Sequence, residues 1–214
     1  MNSEAKQEKE TLRLEAFSDG LFSIAITLLV LDLKVPRVES LGEGGDLTAA
    51  LLAQWPSYLA FLTSFITVLI MWVNHHNLFN FIKRSDGMFL FLNGFVLLTV
   101  TVVPFPTALL AEYIRQPQAP VAAAFYAGMF LLNCVSFNLL WRYAAKGKRL
   151  LDADMPDALI KGINRQAMSG IPLYLAAVLL AFVSVKASVA ACMLLAAFYA
   201  ISSSVHRLLA PGKP

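Results

Sequence analysis

A chain of 214 residues that is 58% hydrophobic and 14% charged is far from a soluble domain, which is about 45–50% apolar and roughly 25% charged. The excess lies in long runs, which excludes a water-soluble globule and matches helices crossing a hydrocarbon layer ~30 Å thick, about 20 residues each. A formal net charge of +3 makes no demand for nucleic acid, and two cysteines inside apolar runs, Cys134 and Cys192, make no disulfide framework.

The first apolar run spans roughly 15–33 within "RLEAFSDGLFSIAITLLVLD". The charged residues before it, and no small-residue cleavage pattern after it, predict a retained helix. On that helix Phe17, Leu21, Ile24, Leu28 and Leu31 form a heptad-like seam able to meet its own copies. Ala16, Gly20, Ser23 and Thr27 make a stripe of small and hydroxylated residues beside it, of the kind that lets helices approach closely. Two readings fit the seam: packing against lipid or a bundle core, or a hydrophobic constriction lining a pore. Arg13, Glu15, Ser18 and Asp19 open the run and Asp32 closes it. Ionisable groups at membrane depth usually face a bundle interior or water.

"KVPRVESLGEGGDLT" then reads as an external loop over 34–49. The second run, roughly 50–81, is overlong for one crossing and ends in "MWVNHHNLF". The third, 87–112, contains Pro104 and Pro106, which should bend or end it. Its opening, "KRSDGMFLFL", echoes "RLEAFSDGLF", as expected of two helix starts capped by Ser and Asp. The fourth run covers 119–144, and a polar link over 145–164 has room for a short helix. The fifth, 165–184, carries Pro172 as a possible kink, and the sixth covers 187–208. Asn74, Asn77, Asn93, Asn133 and Asn138 lie on these helices, where interhelical hydrogen bonds are their default role.

Cytoplasmic flanks carry an excess of Lys and Arg. With the N-terminus inside, only Lys34, Arg37, Arg115 and Lys186 of the 17 Lys and Arg fall outside. Both termini are therefore expected in the cytoplasm, with residues 1–12 as a cytoplasmic segment. Asp32, Glu39, Glu43, Asp46 and Glu112 give the outer side an acidic excess that favours cations. The expected fold is all-α: a single polytopic domain, 1–214, of six transmembrane helices.

Arg13, Phe17, Ser18 and Asp19, followed by "GLFSIAITLLVL", resemble the signature of the transmembrane protein 175 family, the lysosomal-type potassium channels and their bacterial relatives. "MWVNHHNLF", with Trp72, His75 and His76, and "LNGFVLLTVTVVPFPTALLAEY" extend the resemblance over most of the first 113 residues. It implies a bacterial single-repeat member in the inner membrane, assembled as a homotetramer with four first helices around a central pore. The pore positions it implies are Ile24, Leu28 and Leu31, with Ser23 and Thr27 as neighbouring hydroxyls; the charge bias of the flanks sets Asp32 at the outer mouth of such a pore. The permeant ion would be K+, passing without a cofactor. The T-V-G-Y-G loop of the usual carbonyl filter does not occur, so selection would rest on apolar side chains that strip hydration, which potassium holds less tightly than sodium.

Arg13 and Asp19 are too far apart on one helix to pair well. Arg13, Phe17, Ser18 and Asp19 are instead expected to meet Trp72, His75 and His76 in a network bracing the first helix. The alternative is independent anchoring at the interface, with Trp72 at the headgroups and Arg13 snorkelling. His206 reads as interfacial. Adjacent His75 and His76 lack the i, i+4 spacing of a helical zinc pair, and no metal site is expected. No motif of an intramembrane enzyme occurs. A proton- or cation-coupled carrier is the alternative function, and it requires broken helices in matched halves.

Overall fold

The apolar runs become helices whose ends fall at prolines and capping carboxylates. The structure is a computed structural model that describes residues 3–37 and 45–209, with side chains over 10–37, 45–199 and 201. Glu39, Glu43 and the side chain of His206 lie outside the described residues.

Helix α1, Ser3–Leu28, continues into a 3-10 turn at Leu29–Asp32. The overlong second run is two helices, α2 (Leu47–Ala53) and α3 (Trp55–Phe79). Asp46 caps α2 by accepting the Thr48 N–H at 2.8 Å. Pro56, in the first turn of α3, lacks an N–H and clashes with a preceding helical turn, so the chain breaks at Gln54. The same chemistry divides the third run into α4 (Gly87–Thr101) and α5 (Pro104–Tyr113), with Pro104 opening the second piece. Helix α6 covers Ala119–Ala145, α7 Asp157–Leu180 and α8 Val185–Leu209. The possible short helix of the polar link is the beginning of α7. Pro172 lies inside α7 without ending it.

Among the described residues, four stretches are long and apolar enough to cross a membrane: Glu10–Asp32, Trp55–Phe79, Gly87–Tyr113 and Ala119–Lys148. The chain packs as an all-helical bundle in which α1 lies against α3 and α4, and α6 against α4, α5, α7 and α8. One buried cluster joins Phe22 and Ala25 of α1 and Leu29 of the 3-10 turn to Val68, Val100 and Tyr126. A second, around Phe89, Trp141 and Leu151, closes the end where α3 meets α4.

That end is tied by a clasp. After α6 the chain reverses at Gly147 (φ +64°) and Lys148 (φ +55°), a left-handed turn that glycine makes without Cβ strain. Ile82 and Leu151 then form an antiparallel bridge, and the Lys83 N–H donates to the Leu150 carbonyl at 2.9 Å. Asp86 caps α4 through the Phe89 N–H at 2.9 Å and accepts from the Tyr143 hydroxyl and the Arg149 guanidinium. Burial alone would raise its carboxyl, but these donors outweigh it and hold Asp86 below the usual carboxylate range.

Candidate functional site

Helix α1 has two faces of different character. Phe22, Ala25 and Leu29 are buried against the bundle. On the other side Ile24, Leu28 and Leu31 are 52%, 42% and 71% exposed in the single chain. Gly20, Ser23 and Thr27 are exposed beside them. Exposed apolar residues of this size at membrane depth meet either lipid or another helix. The Thr27 hydroxyl turns back on its own helix, reaching the carbonyls of Ser23 at 3.0 Å and Ile24 at 2.9 Å. Its proton is thus used within the helix while oxygen lone pairs remain outward.

The N-terminal part of the α1 span is gripped by α3. Glu15, Ser18 and Asp19 stand at i, i+3 and i+4, so they share one face, as do Trp72, His75 and His76 on α3. Running in opposite directions, the two triplets meet in reversed order. Trp72 donates its indole N–H to Asp19 Oδ1 at 2.8 Å. His76 Nδ1 lies 3.0 Å from Glu15 Oε1, and its ring stacks on Trp72 with centroids 6.0 Å apart.

Between them the contact passes through α4. Ser18 and Asn93 are fully buried, as is His75. The Ser18 hydroxyl donates to the Leu14 carbonyl at 2.8 Å, so its oxygen is free to accept the Asn93 amide N–H at 2.9 Å. Asn93 Oδ1 therefore faces His75 Nε2, also at 2.9 Å, and the imidazole must donate. This fixes the neutral ring's proton on Nε2 and leaves Nδ1 as a buried acceptor without a partner among the described residues. Phe79 stacks on the ring at 4.4 Å.

The structure thus brings together Ser18, Asp19, Trp72, His75 and His76. Arg13 and Phe17 do not join them: both lie on the exposed side of α1, Phe17 at 62%. Their position follows from helix geometry, because the face holding Ser18 and Asp19 to α3 turns residues 13 and 17 outward. Glu15 and Asn93 complete the network. Glu15 was visible as the i−4 neighbour of Asp19, whereas nothing in the spacing singled out Asn93 from the other helical asparagines. Asp32 ends the 3-10 turn with its Oδ2 buried and unpartnered among the described residues. No group of three metal-ligating side chains occurs among the described residues.

Helices of membrane length, a bundle cemented by buried polar contacts and an apolar face left uncovered define a multi-pass membrane protein. Comparison with known proteins gives it a family. The sequence model of the endosomal/lysosomal potassium channel TMEM175 matches residues 13–104. A potassium channel of Chamaesiphon minutus is 52% identical over 204 residues, 94% of this chain and 98% of its own. A potassium channel of Streptomyces collinus is 47% identical over 194 residues, 89% and 91% of the two chains. The human endosomal/lysosomal proton channel TMEM175 is 38% identical over 111 residues, half of this chain but 22% of its own length. The crystal structure of a lysosomal potassium-selective channel TMEM175 homologue from Chamaesiphon minutus superposes with a TM-score of 0.82 at 50% identity. That match covers 91% of this chain and 98% of the other. The chain belongs to the TMEM175 family, named for a potassium channel.

Proposed function

We propose that this protein is a leak-type potassium channel of a bacterial inner membrane. Six helical crossings per subunit (α1, α3, α4 with α5, α6, α7 and α8) leave both termini on one side, and the excess of Lys and Arg on that side makes it the cytoplasm in this reading. Four subunits set their α1 helices around a common axis. Ile24, Leu28 and Leu31 form the constriction, and Asp32 concentrates cations at the outer mouth. Ions shed part of their hydration to pass the apolar rings, and the ion that holds water less tightly passes more readily. Ser23 and Thr27 supply oxygen between those rings. The Thr27 hydroxyl, with its proton bonded inside the helix, presents its negative end outward.

The observation that carries this reading is the division of α1. Its polar side chains are held by α3 and α4, while its apolar seam is left uncovered by its own subunit. The potassium channels of Chamaesiphon and Streptomyces, matched over nine-tenths of the chain, support the choice of ion. The carrier alternative wants paired broken helices. Pro172 leaves α7 continuous, and the break at Gln54 sets off only the seven-residue α2, so the break at Val102 has no partner inside a second described crossing helix.

The test is current through purified protein in planar bilayers under a potassium–sodium bi-ionic gradient. Wild type should reverse near the potassium potential. Ile24→Asn and Leu28→Asn should carry current with the reversal shifted toward zero. Unchanged reversal in both variants would remove the side chains from selection, and saturable coupled flux without channel currents would establish a carrier.

A further inference from the structure

Beside the clasp, near the end of the bundle where α4 begins and α6 stops, lies an open hollow of about 610 Å³. Small-ligand clefts run from about 300 to 1,000 Å³. Leu92 of α4, Leu139, Arg142 and Tyr143 of α6, the capping Lys146 and Asn164 of α7 border it. The lining thus holds two cations and no carboxylate. Leu139, Arg142 and Lys146 stand at i, i+3 and i+7, so one face at the end of α6 carries an apolar residue followed by two charges.

The cations at this end are unevenly neutralised. Lys148 lies 2.8 Å from Asp157, and Arg149 is paired with Asp86, the carboxylate that Tyr143 also reaches. Arg142 and Lys146 are exposed and make no ion pair among the described residues. The Arg142 guanidinium donates to Met168 Sδ at 3.3 Å, a weak and uncharged acceptor that leaves most of its N–H groups unused. Asn164 Oδ1 accepts the Trp141 indole N–H at 2.9 Å, so its amide nitrogen is what it can offer to an occupant. Cations on a last helical turn also offset the partial negative charge of its carbonyls, but that role needs neither the apolar border nor Asn164. Depth adds a further constraint. Helix α6 belongs to a stretch of membrane-crossing length that ends at Lys148, and at 1.5 Å per residue Arg142 stands about 4.5 Å beyond Leu139 along the axis. Leu139 and the neighbouring Phe91 of α4 are exposed. The charges therefore stand at headgroup level with apolar surface directly below them.

We infer that this hollow seats an anionic phospholipid of the surrounding bilayer. Its phosphate accepts from the Arg142 guanidinium, whose planar fork matches phosphate oxygens in pairs, from the Lys146 ammonium and from the Asn164 amide. Its acyl chain runs over Leu139 and Leu92. A zwitterionic headgroup would bring a cation for which the lining has no carboxylate, and free phosphate would leave the apolar border uncovered. The site is formed by one subunit and does not depend on the pore reading.

The probe is phosphatidylglycerol against phosphatidylcholine. Native mass spectrometry of the assembled protein, released from nanodiscs holding the two lipids in equal amounts, counts what each subunit retains. Wild type should retain phosphatidylglycerol in excess. Arg142→Gln combined with Lys146→Gln should weaken that preference by about fivefold for each cation removed. Lys161→Gln combined with Arg165→Gln takes the same charge from exposed positions of α7 outside the lining and should leave the preference unchanged. Equal loss in the two double variants would reduce the effect to the overall charge of this end and overturn the site. Breakdown of the assembly in the Arg142–Lys146 variant would assign those cations to a carboxylate of a neighbouring subunit and overturn it too. Displacement of the retained phosphatidylglycerol by inorganic phosphate would exclude the acyl chain, and with it a lipid occupant. Equal retention of the two lipids by wild type would overturn the inference without requiring any variant to fold.

Discussion

Asn93 stands where α1, α3 and α4 meet, and its amide is used in both directions, accepting from His75 and donating to Ser18. Replacing it by leucine leaves a buried imidazole N–H without an acceptor, together with any strain from the new side chain. We expect Asn93→Leu to cost about 3 kcal/mol, read as a lower midpoint in thermal unfolding of the purified protein. Combining it with His75→Phe, which removes the stranded donor, should cost less than the two single changes added together. Strict additivity would mean that the three side chains do not act as one chain of bonds. Asp19 and Trp72 are half-buried and joined by a single hydrogen bond, so Asp19→Asn, which keeps an acceptor for the indole, should lower the same midpoint far less.

At the scale of the element, the clasp around Asp86 shows one side chain serving two helices. It caps α4 and, through Tyr143 and Arg149, ties the end of α6 to the start of α4. Because its folded carboxyl titrates below the unfolded value of about 3.9, its ionic contribution is fully present above that pH. It is lost as pH falls through the lower, folded value. Asp86→Asn retains a capping oxygen but loses the charge. The stability gap between wild type and this variant should therefore be widest near neutral pH and close below about pH 4. A gap that persisted at lower pH would show that shape, and not charge, is what the carboxylate contributes. Proline acts at the same scale with outcomes set by position. Pro56 and Pro104 sit in first turns and start new helices, whereas Pro172 is accommodated inside α7.

For the whole molecule, the uncovered seam of α1 makes assembly the central prediction. Cysteine placed at Leu31 should form disulfide-linked dimers of subunits under mild oxidation in membranes if four α1 helices share an axis. Cysteine at Leu179, which is 62% exposed on α7, is the comparison. Cross-linking at 179 and none at 31 would place the apolar seam against lipid and reject the central pore.

Much of this architecture is legible in the order of residues. Runs of apolar residues, broken by prolines and by the Ser-Asp starts, mark the helices because backbone hydrogen bonding inside hydrocarbon permits little else. The alternation of α1 is legible too, since side chains at fixed spacing share a face whatever the tertiary structure. Who meets whom is not. Trp72 to Asp19, His76 to Glu15, and the insertion of Asn93 between His75 and Ser18 depend on the rotation and stagger of three helices. Spacing along one helix does not constrain those quantities. Arg13 and Phe17 belong to the same short motif as Ser18 and Asp19, yet the turn of the helix sends them to the opposite side. The sequence by itself determined a helical membrane protein, its breaks and the two faces of its first helix, because those are local consequences of hydrophobicity and backbone chemistry. Only the tertiary structure decided the pairing of polar groups and the hollow bordered by Leu92, Arg142 and Asn164, because both arise from residues far apart in the chain brought together by packing.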